Sequence, residues 1–129
     1  MGAGRRKGRR VKVSITRGDI VRVRLDPGEG SEIRKTRPAV ILSNNAACQF
    51  DSVIQVVPIT ALPNRTLRPY EARVATKPSG LTKPSRAVAN QIRTVAKHRI
   101  VKRLGHLSPA ELEDVDQAVS IQLGILCER

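Results

Sequence analysis

Aromatic side chains are nearly missing from this 129-residue chain: it has one Phe, one Tyr and no Trp. That scarcity argues against modules that stack bases on an aromatic platform. Cysteine is scarce too. Cys48 and Cys127 have no CxxC or Cys/His ligand spacing, so a structural zinc site is not expected. No apolar run reaches the length of a membrane span, and none follows the basic N-terminus as a signal peptide would need. The expectation is a cytoplasmic protein with free thiols and no membrane association. Acids are few, at 11 Asp plus Glu against 24 Lys plus Arg, a net charge of +13. A polyanion is therefore the first partner to suspect.

What remains is ordinary for one globular domain, with 40% apolar and 27% charged residues. The charge is uneven. Residues 1–10 carry five bases, residues 52–110 carry eleven bases against the single acid Glu71, and residues 111–129 are net acidic. The Gly/Arg-rich start has almost nothing to bury and is expected to be disordered, so the chain divides into a basic tail, 1–11, and one domain, 12–129. The tail reads equally as a nucleic-acid tether or as a solubilising start. The bases of 52–110 say more, because they lie among expected strands.

Ile20–Leu25, Ala39–Ser43 and Val53–Thr60 are short runs rich in Val and Ile, read as strands. Pro58 inside the third implies a bulge or an edge. Asp26–Arg37 is turn chemistry and charge, a loop long enough to be functional. Pro63–Pro69 is a second polar loop. Further strands are expected at Glu71–Ala75, Arg86–Ala89, Gln91–Val95 and Lys102–Leu107. Ser108-Pro109-Ala110-Glu111 is a capping box that opens a helix whose apolar stripe is Leu112, Val115, Val119, Leu123 and Leu126. The fold class is thus mainly β with a C-terminal α-helix, the strands closing into a small barrel.

The usual acid–base constellations are thin. His98 lies among charges and reads as solvated; His106 precedes a helix and reads as structural. Asp19, Asp26, Glu29 and Glu32 have the chemistry to bind a metal, but beside Arg17, Arg34 and Arg37 they read better as ion pairs or capped turns. Cys48 reads as a small buried hydrophobe.

Several motifs then occur in a fixed order. They are Arg17-Gly18-Asp19-Ile20-Val21, Gly30-Ser31-Glu32, Arg37-Pro38-Ala39-Val40-Ile41-Leu42-Ser43-Asn44, Pro58-Ile59-Thr60 and Gly80-Leu81. Ala89-Asn90-Gln91-Ile92-Arg93-Thr94, Gly105-His106-Leu107-Ser108 and the last helix complete the series. From Arg17 to Leu126 the chain resembles the MazF/PemK/Kid toxin family. That resemblance implies an SH3-like barrel of the CcdB/PemK kind, a homodimer, and a metal-independent, cofactor-free endoribonuclease acting on single-stranded RNA. It also implies a small acidic antitoxin protein that holds the toxin inactive. By motif position Arg37 and Thr60 would be the catalytic pair. Ser31, Glu32, Asn44 and Gln91 would shape the RNA site. Arg65 and Arg68 fall in a segment, 62–70, that varies across the family and would set base preference.

That chemistry is physically coherent. RNA brings its own nucleophile, the 2′-OH, so an enzyme need only align it and stabilise the charge gathering on the phosphorane. Arg suits the second task, being planar and permanently charged, and Thr can donate to the same oxygens. The expected products are a 2′,3′-cyclic phosphate and a 5′-OH. Arg is a poor base, so the proton route stays open between Arg37, water and the substrate. Two other classes compete: a non-catalytic RNA- or ribosome-binding protein, and a topoisomerase poison of similar shape. Arg37 also has a bland alternative, an ion pair with Glu32 or Asp51.

Overall fold

Among the described residues there are seven strands, the first three rich in Val and Ile: β1 (Asp19–Arg24), β2 (Thr36–Ile41), β3 (Val53–Ala61), β4 (Glu71–Val74), β5 (Ser85–Val88), β6 (Arg93–Ala96) and β7 (Ile100–His106). A short helix, α1 (Asn45–Phe50), joins β2 to β3, and α2 (Pro109–Gln122) follows β7. The computed structural model describes residues 13–126; the basic tail 1–11 and Cys127 lie outside the described residues.

The strands form an antiparallel sheet in the order β4-β5-β3-β2-β1-β7, with β6 paired to β3 off that path. The nine-residue β3 is its centre. One edge of β3 pairs with β2 through Val56–Pro58. The other edge pairs first with β6 through Val53–Val56 and then with β5 through Ile59–Ala61. Pro58 sits where one partner strand hands over to the next, which is how a residue without an N–H is accommodated in a central strand.

The mainly-β class with a C-terminal helix is borne out, but among the described residues the ladder itself stays open, with β4 and β7 at its ends. The turn after β4 spans the gap instead. The His106 amide donates to the Pro78 carbonyl at 3.2 Å. A Cβ on Gly105 would run into the backbone of Pro78 and Ser79, and one on Gly80 into the Leu104 carbonyl. Glycine at both positions permits this approach. Two register shifts in the β1–β7 pairing add the twist that curls the sheet.

Both faces of the sheet are covered. Val21, Val23, Leu25, Ala39, Ile41, Ile54 and Val56 form one core, and Ile20, Val40, Val57, Ile59, Val74 and Val115 belong to a second. Fully buried Ile20, Ile41, Ile54 and Ile59 each contribute about 1.5–3 kcal/mol. Cys48 is buried in the first core as expected, and burial pushes its thiol pKa up.

The capping box at α2 forms as read, with Ser108 Oγ accepting from the Glu111 amide at 3.2 Å and the Glu111 carboxylate accepting from the Ser108 amide at 3.1 Å. The apolar stripe needs correction. Val115 is buried, and Leu112 and Val119 pack partly against the second core, but Leu123 and Leu126 are exposed. The helix ends at Gln122, and Gly124, with φ 76°, turns the chain away before those side chains reach the sheet.

Candidate active site

Arg37 belongs to β2, opposite Val23 of β1, rather than to the loop the sequence suggested. Thr60 belongs to β3, opposite Arg86 of β5. The β2–β3 ladder pairs Ile41 with Val56, Val40 with Val57 and Ala39 with Pro58, and then stops. Continuing that register by two residues sets Arg37 across from Thr60. Alternation along each strand puts both on the face of Ala39 and Pro58. The β2–β3 pairing ends here, while β3 continues on its other edge into its pairing with β5. A guanidinium and a hydroxyl therefore share a register position and a face where the β2–β3 ladder ends.

Arg37 is exposed and unoccupied by acid. Its Nε donates to the Arg34 carbonyl at 3.3 Å, and among the described residues it makes no ion pair, so neither Glu32 nor Asp51 neutralises it. The acids of the preceding loop serve as turn caps instead. Asp26 accepts from the Lys35 amide at 2.9 Å and Glu32 from the Glu29 amide at 2.6 Å. Asp26 thereby holds Lys35 in the left-handed region, at φ 72°, where a side chain is costly. Asp19 accepts from the Thr16 amide at 2.9 Å and pairs with Arg103 at 3.2 Å. Among the described residues no three His, Cys, Asp or Glu side chains converge as a cation site would require.

A cleft of about 480 Å³ is lined by Pro27, Ser31, Glu32, Asn90, Gln91, Ile92 and Arg93. The structure thus brings Ser31, Glu32 and Gln91 together. Arg37 and Thr60 do not line this cleft; the loop carrying Ser31 and Glu32 runs from it directly into Thr36 and Arg37. Gln91 lies in a 3₁₀ turn, Ala89–Gln91, not on the strand expected there. Its Oε1 accepts from the Ile33 amide at 3.1 Å and its Nε2 donates to the Ser31 carbonyl at 3.2 Å. Gln91 shapes the cleft by fixing its wall.

Asn44 and Arg65 stand apart from this group. Asn44 lies beyond the far end of β2, about 20 Å along the chain from Arg37. Its side chain caps α1, accepting from the Ala47 amide at 2.9 Å. Arg65 is bound in a fork to Glu71, at 2.8 and 3.0 Å, while the Arg68 side chain is exposed. Two residues of the cleft, and two more joined to the strand position opposite Thr60, escaped the sequence reading. Asn90 and Arg93 lie inside a motif already noticed, and Arg93 holds the Leu25 carbonyl at 2.9 Å. Glu71 had a signal, as the lone acid of 52–110. Arg86 had none, because only strand register brings it opposite Thr60.

Comparison with known proteins places the chain in a family. The family described as PemK-like, MazF-like toxin of type II toxin-antitoxin system matches residues 16–123. Endoribonuclease MazF9 of Mycobacterium tuberculosis is 36% identical over 116 residues, covering 86% of this chain and 98% of that protein. A mycobacterial endoribonuclease solved in complex with its cognate antitoxin superimposes with a TM-score of 0.69 at 26% identity, over 88% of this chain and 99% of that one. MazF from Deinococcus radiodurans has the same fold, with a TM-score of 0.74 at 23% identity over 88% of this chain and 99% of its own. The chain belongs to the PemK/MazF family of toxins of type II toxin–antitoxin systems.

Proposed function

We propose that this toxin is an endoribonuclease that cuts single-stranded RNA, mRNA included, at selected sequences, with Arg37 and Thr60 acting on the scissile phosphate. The observation that carries this assignment is the shared register and face of an unpaired guanidinium and a hydroxyl where β2 and β3 part. Family membership supplies the reaction class.

The chemistry follows from what each group can do. The ribose 2′-oxygen attacks phosphorus and passes its proton to water or to a non-bridging phosphate oxygen, and the bond from phosphorus to the 5′-oxygen breaks as that oxygen takes a proton back from the same source. The products are a 2′,3′-cyclic phosphate and a 5′-OH. Arg37 offers two parallel N–H donors and a fixed charge to the non-bridging oxygens as they become more negative. Thr60 donates to the same oxygens or orients the ribose. With nucleophile and charge stabiliser supplied in this way, the reaction needs no metal or cofactor.

Ser31, Glu32 and Gln91 support the reading as a wall for the neighbouring nucleotides, with Asn90 and Arg93 on the same cleft. Toxins of this family belong to toxin–antitoxin systems, and the excess of base over acid favours a small acidic antitoxin as the partner here. We assign a homodimer in the cytoplasm as the working form; among the described residues no helix is long and apolar enough to cross a membrane.

Incubation of the full chain with a long transcript in EDTA, followed by mapping of both new ends, tests the proposal. Discrete cuts ending in a cyclic phosphate and a 5′-OH are expected. Intact RNA with a salt-sensitive gel shift would favour the non-catalytic RNA- or ribosome-binding alternative.

A further inference from the structure

Residues 52–110 hold eleven bases and one acid, and that acid is where the bases meet. The Glu71 side chain is 1% exposed. It takes both arms of the Arg65 guanidinium, at 2.8 and 3.0 Å, and pairs with Arg86. It also accepts from the Arg68 amide at 2.8 Å. Arg86 stands opposite Thr60 on one side and opposite Arg73 of β4 on the other, and its Nε donates to the Ala61 carbonyl at 3.0 Å. The carboxylate thus ties the 62–70 segment, through Arg65 and Arg68, to the strand position facing Thr60.

Arg65 and Arg86 remain partly accessible, at 33% and 20%. Without Glu71, two free guanidiniums would stand next to Arg73 at the end of β3. Free guanidiniums grip any RNA phosphate, and phosphate contacts carry no sequence information. A toxin that cuts selected sites gains nothing from such contacts away from the scissile linkage.

Resting on the assignment of Thr60 to the RNA site, we propose that Glu71 is a selectivity-setting positioning residue: it withholds Arg65 and Arg86 from indiscriminate phosphate binding and fixes 62–70 as a wall against which bases are read. The carboxyl can do this at any physiological pH, because the Arg65 hydrogen bonds lead the interactions that hold its pKa down at about 2.

The test uses the full chain and two RNA oligonucleotides, one carrying the mapped cleavage site and one scrambled. Both have deoxyribose at the scissile position to block cleavage. Affinities are measured across a potassium chloride series. Glu71→Gln frees the two guanidiniums, so it binds the scrambled RNA several-fold more tightly and the preference for the site falls. The slope of log K against log salt steepens by about 0.7–1.4, one or two added phosphate contacts. Unchanged slope and preference, or equal weakening on both RNAs, would overturn the proposal. If Glu71→Gln does not fold, Arg65→Met releases the segment without freeing a cation. Preference then falls with the slope unchanged or shallower, and undiminished preference overturns the proposal. A wild-type chain that neither cuts nor binds RNA takes the underlying assignment down with it. Wild-type cutting, an inactive Arg37→Ala and a Glu71→Gln indistinguishable from wild type would refute only the role of Glu71.

Discussion

Arg37 and Thr60 occupy matching places on β2 and β3, each two residues beyond the last paired positions, Ala39 and Pro58. Between them the β2–β3 ladder makes no pairing, and on its other edge β3 pairs Thr60 with Arg86. A closed ladder would spend the backbone groups of these strands on each other. The parted one leaves these positions of the two strands unpaired with each other, which is where we propose that the phosphodiester sits.

Gln91 tests how far the loop supports this site. Its two amide hydrogen bonds, to Ser31 and Ile33, are each worth about 1 kcal/mol. Gln91→Ala is expected to raise KM for a cleavable oligonucleotide roughly tenfold, with a fall of a few degrees in Tm. Steady-state kinetics beside a melting curve check this. A variant with wild-type KM would show that the loop needs no such pin.

Acid should unfasten the Glu71 cluster. Its carboxyl is lowered from the ordinary 4.5 to about 2, first by the Arg65 hydrogen bonds. The native state therefore stays ionised where the unfolded chain has already taken up a proton. Stability from this group is complete above about pH 5 and is lost as pH falls towards 2, about 3 kcal/mol in all. Urea unfolding at several pH values measures the slope, and Glu71→Gln should lack this component of it.

Gly105 is where the turn after β4 crosses β7. A methyl group there meets the backbone of Pro78 and Ser79, which cannot swing aside as a side chain would. Gly105→Ala is expected to cost about 2–4 kcal/mol, seen as a lower urea midpoint at unchanged slope. Neutral behaviour would mean that the gap between β4 and β7 is not closed by this contact.

The elements that declare themselves locally were legible in the sequence. Val and Ile runs mark β1 to β3, and Ser108 to Glu111 announces α2 with its cap. Long-range pairing is what a linear reading could not supply. Arg65 reads as a free loop cation until Glu71 is seen to hold it in a fork. Asn44 reads as a site residue, yet its amide oxygen is taken by the first turn of α1. The loop 26–37 reads two residues too long in the sequence, because Thr36 and Arg37 look like turn chemistry and join β2 only by pairing with Arg24 and Val23. The motifs around Ser31 and Gln91 marked the cleft before any coordinate did, but not the hydrogen bonds that join them.

The most direct measurement is the cleavage rate of purified Arg37→Ala against wild type on a defined RNA in EDTA, with circular dichroism of both. Loss of one oriented, charged donor should slow cutting by about 10²–10³-fold while the spectrum stays the same. A correctly folded Arg37→Ala that cuts at the wild-type rate would contradict the assignment of this guanidinium to the scissile phosphate.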